Sequence, residues 1–184
     1  MLQKLVKNNF LKSILEWAIA IAIALLAFLI IDNFVVKSSR IDGSSMEPTY
    51  SHHDRVLVNR LVYLFSEPQL GDVIAFPYAA NPEYHYIKRI VALPGDVMDM
   101  RDGFFYRNDV RLNDQFSQDP INSPFMHGDV FPVMVEDDTF FVLGDNRQIS
   151  EDSRFSLVGN IPRADIIGRV SFRWLPLNRF GFVE

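Results

Sequence analysis

Fifteen consecutive positions, Trp17 to Ile31, read WAIAIAIALLAFLII and carry no polar side-chain atom except the indole N–H. Isoleucine and alanine alternate here as in a strand. Both are apolar, however, so neither a two-residue nor a 3.6-residue period leaves a polar face. Extending the run to residues 14–36 admits Glu16, Asp32 and Asn33 near its ends. As a helix rising about 1.5 Å per residue this span reaches roughly 34 Å, enough for a hydrocarbon core of about 30 Å. A helix that is apolar all round belongs in a membrane or in a core larger than 184 residues can build. The pattern predicts a tail over 1–13, a transmembrane anchor over 14–36 and a separate domain over 37–184. Val36-Lys37-Ser38 is a weak signal-peptide cleavage site because a lysine lies inside it, which favours a retained anchor. Lys4, Lys7 and Lys12 precede the run and only Lys37 and Arg40 closely follow it. That bias places the tail in the cytoplasm and residues 37–184 outside.

Beyond residue 36 the pattern changes to short β-branched and aromatic segments bounded by turn residues. Strands are predicted over Arg55–Arg60, Val73–Phe76, Tyr84–Leu93, Val97–Met100, Phe104–Arg107, Phe140–Leu143 and Ile166–Trp174. Asp102-Gly103 is a hairpin signal, and Asn108-Asp109 reads as a second. No long segment outside the anchor repeats its apolar positions at 3.6 residues, so the domain is mostly β. Residues 113–136 are the least patterned and form an excursion from the main sheet.

Composition narrows the chemistry. With 48% hydrophobic and 22% charged residues the chain is not disordered. A net charge of −5 argues against a duplex nucleic-acid partner. The absence of cysteine removes disulfides, thiolate metal sites and cysteine nucleophiles together. Candidate nucleophiles are then serine, threonine and lysine, each needing an activating base.

Three segments carry such chemistry. In Gly43-Ser44-Ser45-Met46-Glu47-Pro48-Thr49 glycine permits close backbone approach and proline fixes the chain direction just after the serines; alone, it also reads as a surface turn. Tyr84-His85-Tyr86-Ile87-Lys88-Arg89-Ile90-Val91 is a β-prone run with Tyr86, Lys88 and Ile90 on one face. If that face is buried, desolvation lowers the lysine pKa and makes Lys88 a base for a serine hydroxyl; otherwise Lys88 and Arg89 are solvated strand charges. His52, His53, His85 and His127 are rival bases, and His53-Asp54 resembles a triad fragment, but neither a GxSxG elbow nor a paired-histidine metal spacing accompanies them. The third segment, Gly144 to Arg154 (GDNRQISEDSR), can build a buried Asp–Arg network or a self-stabilised turn.

Taken in order, an N-terminal anchor, SSMEPT, LGDVIAF (Leu70–Phe76), YIKRIVALPGD (Tyr86–Asp96) and GDNRQISEDSR resemble bacterial type I signal peptidases. The resemblance weakens over residues 104–138. It implies coiled antiparallel sheets, a site at the membrane surface and a Ser/Lys dyad with Ser45 as nucleophile and Lys88 as general base. By the same resemblance Ser150 orients the lysine, Asp152 and Arg154 support the site, and Asp145 fits the same supporting shell. Some members use a serine side chain two residues before the nucleophile as an oxyanion donor. Gly43 stands there in this chain, which leaves that task to backbone N–H groups, notably that of Ser45. A glycine common after the third segment is replaced by Phe155-Ser156-Leu157.

The implied reaction is removal of signal peptides from exported preproteins, cutting after small residues at −3 and −1, close to the export machinery and the lipid bilayer. No metal or organic cofactor is implied. Two other readings share these residues: a self-cleaving Ser/Lys protease of the SOS repressor type, and a non-catalytic tethered β domain that binds exported peptides.

Overall fold

The computed structural model describes residues 2–30, 36–78, 81–121 and 131–183. The expectations for residues 31–35 and for His127 therefore lie outside the described residues.

Helix α1 runs over Leu2–Ile30, beginning well before residue 14. Its described side chains, Lys12 to Leu26, are all exposed, Trp17 and Ile23 among them. Among the described residues no helix is long and apolar enough to cross a membrane. Val36, assigned above to the end of the anchor, already belongs to strand β1 (Val36–Arg40).

Each of the seven expected strands forms, with ends moved by a few residues. They are β2 (Arg55–Asn59), β3 (Val73–Tyr78), β4 (Asn81–Ala92), β5 (Val97–Arg101), β6 (Phe104–Arg107), β9 (Thr139–Leu143) and β11 (Gly168–Leu175). Between and after them lie the one-turn helix α2 (Val62–Phe65) and the two-residue strands β7 (Val110–Arg111), β8 (Val133–Met134), β10 (Ile161–Pro162) and β12 (Gly181–Phe182). Strands this short have no readable alternation, so they escape the sequence pattern. Both hairpin signals hold: Asp102, Gly103, Asn108 and Asp109 all have positive φ, as the tight turns before β6 and β7 require.

The strands form two antiparallel sheets. The larger has the order β1-β2-β11-β3-β4-β9-β10, with β12 added to β11; the smaller has the order β7-β6-β5-β8. Of the stretch 113–136, the described residues 113–121 and 131–136 add no strand to the large sheet. Its Ile121 and Val135 join Phe105, Phe141 and Leu143 in a core between the sheets, and β8 pairs with β5. A second core contains Ile41, Met46, Tyr50, Val56, Ala75 and Val170. Strand β4 pairs with β3 and β9 and is central: Ile74 opposes Lys88, and Arg89 opposes Val73 on one side and Leu143 on the other.

Candidate active site

Residues 42–51 turn back between β1 and β2, and two apolar side chains fix the path. Met46 and Tyr50 are both fully buried, and the Tyr50 N–H donates to the Met46 carbonyl at 2.9 Å. Sinking Met46 into the core leaves its neighbour Ser45 facing the cleft, about 250 Å³ in volume, between this turn and β4. Asp42 to Met46 form one wall, His85 to Lys88 another, and Ile149 and Glu151 a third.

Lys88 meets Ser45 across the cleft, its Nζ donating to Ser45 Oγ at 2.8 Å. Lys88 is only 3% exposed, and burial lowers its pKa from 10.5 to about 8. The carboxylates of Asp152, Glu151 and Asp145 oppose that shift, while Arg154 reinforces it. Tyr86, on the same face of β4, places its ring 4.7 Å from the amine and donates its hydroxyl to Glu151 Oε2 at 2.7 Å. Once the amine is neutral the bond to Ser45 reverses, the hydroxyl donating and the nitrogen accepting. A buried neutral amine in that contact is a base for a serine hydroxyl.

The segment 144–154 is built from buried ion pairs. Asp152 receives Arg154 Nε at 2.7 Å and Nη2 at 2.9 Å, and also the Gly144 N–H at 2.9 Å. The rest of that guanidinium donates to the Arg147 carbonyl at 2.7 Å and the Ser150 carbonyl at 2.8 Å. Asp145, fully buried, receives Arg89 Nε and Nη2 at 2.8 Å each and the Thr49 hydroxyl. It thus ties the segment to β4 and to the end of the Ser45 turn. A further link is direct, the Asn146 N–H donating to the Ser45 carbonyl at 3.0 Å. Gly144 permits this approach: a Cβ there would lie 2.1 Å from Ser150 Oγ and 2.4 Å from the Ser45 carbonyl oxygen.

Ser150 is buried beside this contact, but its hydroxyl has no hydrogen-bond partner. The expected bond to Lys88 is not made here; the amine is engaged by Ser45 instead. Gly43 lines the cleft with φ +112°, its N–H donating to His52 Nδ1 at 3.0 Å. Asp42, His52 and His53 bring three ligand atoms within 4.8 Å of one another, all exposed. Arg40 Nη2 lies 2.5 Å from His53 Nδ1, and Arg40 Nε lies 3.5 Å from Asp42 Oδ1.

Several partners were not anticipated. Arg89, readable as a solvated charge, is the bidentate partner of Asp145. Arg147 donates to the Gly144 carbonyl, to Ser117 and to Asp114, which sit in the unpatterned stretch. Tyr86–Glu151 was equally unmarked. Strand alternation places Tyr86 beside Lys88, but nothing in the sequence pairs it with residue 151.

The chain is similar to known proteins. The family described as "Signal peptidase, peptidase S26" matches residues 14–175. Signal peptidase I S of Bacillus subtilis (strain 168) is 37% identical over 175 residues, covering 91% of this chain and 92% of that protein. Signal peptidase IB of Staphylococcus aureus (strain COL) is 33% identical over 182 residues, covering 92% and 93%. A crystal structure of a signal peptidase I from Enterococcus faecalis V583 aligns with a TM-score of 0.46 at 29% identity, covering 56% of this chain and 97% of that one. The chain belongs to the bacterial type I signal peptidases, family S26, and is a serine peptidase of that class.

Proposed function

We propose that this protein removes signal peptides from exported preproteins with a Ser45/Lys88 dyad, cutting after small residues at −3 and −1. The observation that carries the reading is the 2.8 Å contact between Lys88 Nζ and Ser45 Oγ in a cleft where the lysine is desolvated. Neutral Lys88 takes the hydroxyl proton as Ser45 attacks the scissile carbonyl. The oxyanion is met by backbone N–H groups, that of Ser45 foremost. Lys88 then passes the proton to the leaving amine and deprotonates the water that hydrolyses the acyl-enzyme. Acylation removes the Ser45 hydroxyl from Lys88, and Ser150, whose hydroxyl is unengaged, is the group that holds the amine through the second half. Asp145, Asp152 and Arg154 keep the two walls in register.

The exposed apolar helix α1 is read as a retained, single-pass anchor in the bacterial cell membrane, with the N-terminus cytoplasmic and the catalytic domain on the outer face. Lys4, Lys7 and Lys12 in the N-terminal part of α1, ahead of its apolar run, support that orientation. This puts the cleft near the bilayer and the export machinery, where preproteins emerge. The test is incubation of full-length protein in detergent micelles with an exported preprotein, followed by sequencing of the new N-terminus. Cleavage after a small residue is expected, lost in Ser45→Ala and retained in Ser44→Ala. The opposite pattern overturns the dyad.

A further inference from the structure

We propose that His52 is a positioning residue for the reaction: its Nδ1 accepts the Gly43 N–H at 3.0 Å and thereby fixes the backbone that presents Ser45. The inference rests on Ser45 being the nucleophile. Gly43 has a φ of +112°, a region that glycine tolerates and other residues avoid, and a Cβ built there would meet nothing within 4 Å. No side chain can therefore pack this position in place. The loop is anchored on either side of it. Ile41 exchanges hydrogen bonds with the 51–54 turn, from its N–H to the Asp54 carbonyl and to its carbonyl from the His53 N–H, both at 2.8 Å. The Ser45 carbonyl is held by Asn146 at 3.0 Å. Between those anchors, the Gly43–His52 bond ties the loop to the domain.

The base beneath His52 is rigid. Asp54, 1% exposed, accepts the Ser51 N–H at 3.0 Å and receives Arg173 at 3.1 Å and Arg179 at 2.6 Å. That network fixes the turn from which the imidazole reaches Gly43. The sequence signal was the unexplained His52-His53 pair, whose second member resembles a triad fragment with Asp54. The structure gives Asp54 to arginines and His53 to Arg40, and leaves His52 on the nucleophile loop.

The bond needs a lone pair on Nδ1, which the tautomer protonated on Nε2 provides. The titratable and charged groups around the ring are His53, with ring centroids 3.5 Å apart, Asp42 on the loop itself, and Arg40 of β1, which donates to His53. His85 of β4 lines the same cleft.

The experiment measures kcat and KM of full-length protein in detergent micelles at pH 8. The substrate is a fluorogenic peptide with alanine at −3 and −1. His52→Leu is expected to lower kcat at pH 8 by about tenfold to hundredfold, the range for displacement of a reacting group by up to about 1 Å, with KM little changed. His52→Asn places a non-titrating Oδ1 acceptor near the position of Nδ1. It should restore kcat to within a few-fold of the wild-type value, while His53→Asn, which leaves the Gly43 bond in place, keeps it. Wild-type kcat in His52→Leu, or a His52→Asn as slow as the leucine variant, overturns the proposal. Should His52→Leu fail to fold, His52→Ala takes its place against His52→Asn. Activity in Ser45→Ala would instead overturn the dyad beneath it, a separate outcome.

Discussion

Replacing Lys88 with methionine should abolish cleavage and make the protein more stable. Methionine keeps the length and apolar stem of lysine and discards the amine. Lys88 sits in the core of the large sheet, where burial lowers its pKa from 10.5 to about 8. Between those values the unfolded chain binds a proton that the folded chain has released, so stability rises with pH across that window. Below about pH 8 the penalty is present in full. The difference between the two values corresponds to about 3 kcal/mol. Against it stand the hydrogen bond to Ser45, about 1 kcal/mol, and the contact with the Tyr86 ring, about 0.5–1 kcal/mol. The net expectation is a gain of about 1–2 kcal/mol at pH 7 that shrinks steadily from pH 8 upward. Tyr50, Tyr63 and Tyr86 have raised pKa values through burial, and they oppose stability above about pH 10, but equally in both proteins. Urea unfolding of full-length protein in micelles, followed by tryptophan fluorescence at pH 7 and 9.5, reads the difference. A variant less stable at pH 7, or a difference independent of pH, would refute the desolvated base.

Gly144→Ala should cost well over 2 kcal/mol and nearly all activity, because its Cβ would overlap both Ser150 and the Ser45 carbonyl; wild-type kcat in this variant would mean the contact is loose. Arg89→Lys breaks the fork that holds Asp145 while keeping the charge, so a loss of about 2–4 kcal/mol in unfolding and a fall in kcat are expected. Ser150→Ala removes a buried hydroxyl without a partner, so stability should hold or rise by about 1 kcal/mol. Its kcat should nonetheless fall at little-changed KM, whereas a pure KM effect would make the segment a substrate-binding element.

The legible parts of the molecule were those written in local pattern. Strands of four or more residues outside the helix-to-domain junction declared themselves by β-branched runs, and the turns at Asp102-Gly103 and Asn108-Asp109 by residues that tolerate positive φ. The proposed catalytic pair was legible differently: Lys88 in a β-prone run raised the question of burial, and the resemblance supplied the register of Ser45. What stayed hidden was pairing at a distance. Arg89 reads as one more charge until Asp145, 56 positions away, reaches it. Asp114 and Ser117 lie in a stretch with no pattern because they serve Arg147 rather than a sheet. Val36 read as membrane because its side chain is apolar, and only its pairing with Asn59 shows it to be strand.

The separation between the two walls of the cleft also bears on how the enzyme comes into being. Thr49 and Asp145 lie 96 positions apart, and Ser45 is held by the residue after Asp145. A nascent chain that has emitted residues 45 and 88 owns both reactive groups and neither of their mutual restraints. Contacts spanning that much chain form late, because closing a long loop comes before any reward from it. The restraints on the two reactive groups arrive only with residues 144–154, and the large sheet closes later still, because β11 (Gly168–Leu175) lies between β2 and β3.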